Sequence, residues 1–264
     1  MKPLLLILTI LTAYSTDNER WFIWTPENRE KTEMVVRENL HLIDFLPLQD
    51  LDTYLDNFYL IDLDNDNDLD LVYHGWSGAE SNCIRFFINK NGEYVNSAFV
   101  WGDLIAVTEK ESKNFVMHVN LPSCCGNFET RNYKIKTIVR KDSLQLKLLE
   151  VKIHHDFTKA PEKLFDSPIE FKVTNDPYHL RVTPEIDSIN QFFPGERPFG
   201  NFYLTYRTGD IGKALGKHTD NTGRVWWYVE MEANKRYSRI EDNDMIVYPK
   251  FIGWMSSRYL EKIE

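Results

Sequence analysis

The chain of 264 residues is poor in cysteine, in clustered positive charge and in long apolar runs, and each shortage removes an explanation. There are three cysteines, Cys83, Cys124 and Cys125, and no base stands beside the pair in Pro122-Ser123-Cys124-Cys125-Gly126 to activate a thiol nucleophile. An oxidising compartment would instead pair Cys83 with Cys124 or Cys125 and leave one thiol over, because adjacent cysteines rarely bridge each other. Lys and Arg total 31 against 40 Asp and Glu, a net charge of -9 with no basic stripe, which argues against a nucleic-acid partner. Past the first residues, no stretch is apolar enough to cross a bilayer. There is no phosphate loop, no dinucleotide fingerprint and no nucleophile elbow with a Ser-His-Asp order, so no reaction type is written into a motif.

What is present begins at the N-terminus. Met1-Lys2-Pro3 followed by the apolar run Leu4 to Ala13 has the shape of an export signal, too short to span a membrane. Ala13-Tyr14-Ser15 places small residues where a signal peptidase inspects them, so cleavage before Thr16 is expected and the mature chain is periplasmic or extracellular. No Cys follows the run, which leaves a lipid anchor without support. Aromatic residues make up 14% of the chain, a bias toward sheet and toward surfaces that bind.

The most informative stretch is Asp62-Leu63-Asp64-Asn65-Asp66-Asn67-Asp68-Leu69-Asp70, with a carboxylate at every second residue. Crowded carboxylates repel, and a hard divalent cation that seeks oxygen is the simplest way to hold them together. Calcium suits the set, because it accepts six to eight oxygens in flexible geometry; without His or Cys in the run, zinc and copper do not. An EF-hand is not expected. Counted from Asp62, the sixth residue is Asn67, which still permits a left-handed turn, but the twelfth is Tyr73, which offers no carboxylate. The flanks Phe58 to Ile61 and Leu71 to Tyr73 read as strands, so the loop joins two strands and Asp70 closes the shell.

These residues, with the later Ile84-Arg85-Phe86-Phe87-Ile88-Asn89-Lys90-Asn91-Gly92-Glu93-Tyr94-Val95, resemble the calcium-binding hairpin of FG-GAP (VCBS-type) repeats and the strand-turn-strand that follows it. The resemblance implies side-chain ligation by Asp62, Asp64, Asp66 and Asp70 and ligation through the backbone carbonyl of Asp68. It covers about residues 56–100. No second Asp-rich loop recurs, so the closed propeller of such repeats is not expected.

Along the chain, Pro26 to Leu42 has helical composition, with Thr25 as cap and Met34, Val35, Glu38 and Leu42 near helical spacing. Strands are expected over Phe58 onward, Ile84 to Ile88, Tyr94 to Trp101, Phe115 to Val119, Tyr133 to Val139 and Leu144 to Ile153, a β-meander with an Asn-Gly hairpin turn at Asn91-Gly92. His154 and His155 are adjacent and so face opposite sides of a strand, which argues against a shared ligand. Pro161 and Pro168 mark a linker over 161–170, between a β-rich domain at 16–160 and a second domain at 171–264. The fold class expected is mainly β, with one helix in the first domain.

The C-terminal stretch carries Val225-Trp226-Trp227-Tyr228-Val229-Glu230 and Gly253-Trp254-Met255, then Arg258-Tyr259-Leu260, after His179-Leu180-Arg181-Val182-Thr183-Pro184. It resembles a bacterial SH3-like domain over about 170–264, departing from a compact module in a long loop between Thr183 and Gly209 and an insertion from Glu232 to Lys250. Alternating aromatics in a small barrel bury one face and leave others at a shallow cleft. Trp226, Tyr228, Trp254 and Tyr259 are the candidate ligand-binding residues, with core packing as the competing role for each Trp.

Together these readings favour an exported, non-enzymatic binding or scaffold protein, with calcium as cofactor and a peptide, protein or cell-wall component as partner. The alternative is a secreted hydrolase of cell wall or polysaccharide, whose acid-base pair would come from Glu80, Glu93, Asp103, Glu109 and Glu129.

Overall fold

The computed structural model describes residues 26–263, except 48–49, 65, 79–80, 112–113, 125–127, 141–142, 191, 193–199, 237–238 and 243–244. The expected signal segment, the Thr25 cap, Glu80 and Cys125 lie outside the described residues. The chain is mainly β, and it divides into two compact units, Met1–Leu121 with Tyr133–Leu149, and Pro122–Asn132 with Glu150–Glu264.

Unit 1 opens with helix α1 (Pro26–Glu38), which starts on a proline whose missing amide is not needed in a first turn. Its inner face is Thr32, Val35 and Val36, while Met34 is 53% exposed; the apolar stripe is one residue off the expected one. A short helix α2 (Leu51–Tyr54) leads into β1 (Phe58–Ile61), β2 (Asp70–Trp76), β3 (Asn82–Lys90) and β4 (Glu93–Trp101), an antiparallel sheet in chain order. Ile61 pairs with Asp70, so the acidic loop is the connection of a β-hairpin, as expected. Val35, Val36, Ile43, Leu51, Phe58 and Phe87 belong to one core cluster, and each such fully buried side chain contributes about 1.5–3 kcal/mol.

Cys83 sits in that core as a free thiol with no exposure, so the expected bridge to Cys124 or Cys125 is not made by it. Burial pushes its pKa up, against the nearby Arg85. Arg85 itself lies over the Phe45 ring at 3.9 Å and the Phe99 ring at 4.8 Å, a half-buried cation faced by aromatic π-systems.

The unit continues with β5 (Asp103–Glu111), β6 (Asn114–Leu121), and parts of β7 (Glu129–Arg140) and β8 (Ser143–His155), adjacent in that order. Strand β5 escaped the sequence reading, because its charged end, Glu109-Lys110-Glu111, masks the apolar Leu104 to Val107. The Thr137 hydroxyl ties β6 to β7, accepting from Phe115 N and donating to Phe115 O, both at 3.0 Å.

Unit 2 is built from β9 (Leu164–Val173), β10 (Tyr178–Arg181), β11 (Phe202–Tyr206), β12 (Ile211–Thr219), β13 (Val225–Met231), a small hairpin β14 (Ile240–Asp242) and β15 (Met245–Val247), β16 (Lys250–Ser256) and β17 (Leu260–Lys262). The order is β17-β9-β12-β13-β16, with β10 joining β16 to β11 and the end of β8 running parallel to β16. The segment expected as a linker, 161–170, is therefore mostly strand, and the division between units falls within β7 and β8 instead. Pro168 does not break the strand: it lies where the pairing of β9 with β12 slips, between Ile169↔Ala214 and Leu164↔Gly216, an irregularity that tolerates a residue without an amide. The segment from Glu232 to Lys250 holds the β14-β15 hairpin.

The glycine of Gly253-Trp254 has a packing cause. A Cβ there would stand 2.7 Å from Arg181 O and 2.9 Å from Leu180 Cγ, where β10 crosses β16.

Candidate metal centre and ligand cleft

The acidic loop is shaped by its own last carboxylate. Asp70, with no exposure, accepts the Leu63 amide on Oδ2 at 2.8 Å and the Asn89 amide on Oδ1 at 2.9 Å, so it pins the start of the loop to the end of β3. The Asn89 side chain adds to this by donating to Leu69 O at 3.2 Å and accepting from Gly92 N at 2.7 Å. Asn89 thus belongs to the site, a role with no signal in Asn89-Lys90-Asn91-Gly92 beyond a turn, because its partner Asp70 lies 19 residues away. Asn91 and Gly92 do take positive φ, 56° and 95°, and Asn67 takes the left-handed turn expected of it at 73°.

Within this frame, one carboxylate oxygen each from Asp62, Asp64 and Asp70 lie within 4.8 Å of one another. That spread fits a cation with metal-oxygen distances of about 2.3–2.6 Å, for which opposed ligands stand roughly 5 Å apart. Asp62 Oδ1 and Asp68 Oδ1 are buried without a hydrogen-bond partner among the described residues. Buried anionic oxygens in that condition call for a counter-charge. Asp70 retains a free lone pair on each oxygen after accepting its two amides, so anchoring does not prevent ligation.

Of the four side chains expected as ligands, then, Asp62, Asp64 and Asp70 are gathered and Asp66 stands outside the triad; Asp68, expected through its backbone carbonyl, lies on the same loop. Asp66 is exposed and its Oδ1 accepts the Asp68 amide at 3.0 Å, an Asx-type turn. Burial, followed by the charges of Asp66, Asp64 and Asp62, pushes the Asp68 carboxyl up to about 6. Burial pushes Asp70 up to about 6 as well, although its two backbone amides pull the other way. Both shifts have the same source: negative charge in a place that disfavours it.

The C-terminal candidates separate. Trp226 and Trp254 are buried at 1% and 2% exposure, and each indole has an internal acceptor, Asp220 Oδ2 at 2.9 Å and Lys159 O at 3.0 Å. The Tyr228 ring packs on Trp254 with centroids 5.3 Å apart, and its phenol is pushed up to about 12 by burial and then by Glu230. Only Tyr259, 38% exposed, and one edge of Trp226 reach a cleft of about 200 Å³. The core role therefore takes Trp254, Tyr228 and most of Trp226.

The remaining candidates find structural partners. Asp103 accepts from Asn82 Nδ2 at 2.6 Å, and Glu129 accepts from the Tyr203 hydroxyl at 2.7 Å. Glu93 is exposed at a hairpin end, and the side chain of Glu109 lies outside the described residues. His154 reaches Asn132 at 3.5 Å while His155 stacks on Phe128 at 5.9 Å and bonds to Phe192 O at 3.1 Å, so the two rings do go separate ways. No family model, curated protein or solved structure matches the chain.

Proposed function

We propose that the protein is an exported, non-enzymatic binding or scaffold protein whose N-terminal unit is stabilised by calcium and whose C-terminal, SH3-like part recognises a peptide or cell-wall component. The observation that carries this reading is the Asp62, Asp64 and Asp70 triad, with buried, unpartnered oxygens on Asp62 and Asp68 beside it. An all-oxygen donor set of flexible spacing favours calcium over zinc or copper. Asp62, Asp64 and Asp70 would hold the ion, which would supply the counter-charge that keeps the β1-β2 hairpin closed. Calcium is abundant outside cells, where sites with dissociation constants of about 10⁻⁴–10⁻³ M are filled. The signal-like first residues support the same location. The recognition role is supported by the cleft at Trp226 and Tyr259.

The test is a calorimetric melt in calcium, in magnesium and in EDTA, alongside Asp64→Ala. A ligand at 100 times its dissociation constant adds about 2.7 kcal/mol, and at about 2–4 °C per kcal/mol the transition of the N-terminal unit rises by about 5–10 °C in calcium. Asp64→Ala loses that response. An identical wild-type melt in calcium and EDTA would remove the ion from the account.

A further inference from the structure

The cleft in the C-terminal unit has walls of an unexpected sign. Arg181, Arg224 and Arg258 line it together with Tyr178, His179 and Tyr259, in a chain whose net charge is -9. Among the described residues none of the three arginines forms an ion pair. The carboxylates of adjoining turns are already engaged. Asp187 accepts Ile189 N at 2.8 Å and Asn190 N at 3.0 Å, and Asp220 accepts Thr222 N at 2.9 Å, Arg224 N at 3.1 Å and the Trp226 indole at 2.9 Å. These acids close turns; Asp187 also acts on Arg181 through its charge, but neither acid forms an ion pair with the three arginines.

The arginines are also held in place. Arg181 Nη1 donates to Asn201 Oδ1 at 2.8 Å, and Asn201, fully buried, is itself fixed by donating to Thr183 Oγ1 at 2.6 Å and Glu185 O at 2.9 Å. Arg224 lies over the Trp226 ring at 5.7 Å and Arg258 over the Tyr259 ring at 5.5 Å. Tyr178 and Tyr259 meet edge to face at 5.6 Å, and the Tyr178 hydroxyl donates to Ser256 O. Burial first, and Arg224 in addition, lower the pKa of Arg181, while Tyr178 and Asp187 act in the opposite direction. Like charges set against a half-buried guanidinium cost free energy that an anion between them would recover.

We infer that this cleft binds a terminal oxyanion, carboxylate or phosphate, borne on an extended chain whose next group packs on Tyr259 and Ile186. Planar guanidinium forks match two-oxygen groups of this kind better than any neutral ligand. The volume of about 200 Å³ is below the roughly 300–1,000 Å³ of sites that engulf a whole small molecule, so it takes an end group and leaves the remainder outside. Ile186, 61% exposed at the rim, gives that remainder an apolar contact. The inference deepens the recognition role proposed above and rests on it for placing the ligand on this unit; it is independent of calcium.

The experiment is titration calorimetry, with amide NMR of the cleft residues, on the whole chain. The probes are acetate, inorganic phosphate, and N-acetyl-alanyl-alanine as the free acid and as the C-terminal amide. The free acid is expected to bind at least tenfold tighter than the amide. Arg224→Gln with Arg258→Gln is expected to weaken it at least tenfold with the amide spectrum outside the cleft unchanged, since Arg258 is exposed, Arg224 is part-exposed and neither is in an ion pair among the described residues, and Lys at the same positions restores part of the loss. Binding of phosphate but not of the carboxylates supports the oxyanion site and assigns it to a phosphate-bearing chain. Equal binding of acid and amide overturns the inference yet leaves peptide recognition standing. Absence of any shift with all four probes, or binding unchanged in the double variant, overturns it as well.

Discussion

Asp70→Ala separates two roles that one carboxylate combines. Its oxygens hold the Leu63 and Asn89 amides at 2.8 and 2.9 Å, and a buried amide left without a partner costs about 1–3 kcal/mol, so two such losses sum to about 2–6 kcal/mol. Set against this is the charge. Burial raises the Asp70 pKa from 3.8 to about 6, which makes its ionised form costlier in the folded chain by up to about 3 kcal/mol. A raised carboxyl stabilises the fold fully below its unfolded pKa, and that contribution fades as pH rises through about 6. In EDTA at pH 5 Asp70 is mostly protonated in the folded chain but ionised in the unfolded one, so about half of the 3 kcal/mol already offsets the amide losses in the Ala variant. In EDTA at pH 7.5 Asp70 is ionised in the folded chain as well, and the deficit shrinks by about a further 1–2 kcal/mol. In calcium at pH 7.5 the deficit grows again, because the ion takes the deprotonated ligand and the variant has lost it. Urea unfolding of both proteins under the three conditions measures each term. An equal deficit at pH 5 and pH 7.5 in EDTA refutes the reasoning, since the charge cost would then be absent.

Two further outcomes concern the C-terminal unit. Glu230, 7% exposed, pairs with Lys152 at 2.7 Å and Lys250 at 3.5 Å, and Lys250 also pairs with Glu150 at 2.9 Å; Glu230→Ala leaves two clustered ammonium groups and costs about 2–3 kcal/mol by urea unfolding, with Glu230→Gln costing less. Gly253→Ala places a Cβ 2.7 Å from a backbone oxygen and costs about 3 kcal/mol, whereas Gly209→Ala, at φ 90° with open space around it, meets only the conformational penalty of about 1–2 kcal/mol; equal midpoints for the two variants would contradict the packing account of Gly253.

The residues alone determined the local chemistry. Short apolar and aromatic runs bounded by turn formers mark β2, β3 and β4, because such side chains favour the extended backbone wherever the strand ends up. The same holds for the Asn91-Gly92 turn and for the Asp62 to Asp70 loop, whose conformations depend on near neighbours. Tertiary structure decided which of those groups meet. Five alternating carboxylates are equivalent on paper, and only the amides of Leu63 and Asn89, the latter 19 residues downstream of Asp70, make Asp70 an anchor and leave Asp66 in solvent. The parallel pairing of β8 with β16 and the arginine cleft are non-local in the same way. Arg181, Arg224 and Arg258 come from three separate elements, and no periodicity connects them. What joins them is the pairing of β10 and of β13 with β16, contacts that no single stretch of the chain encodes.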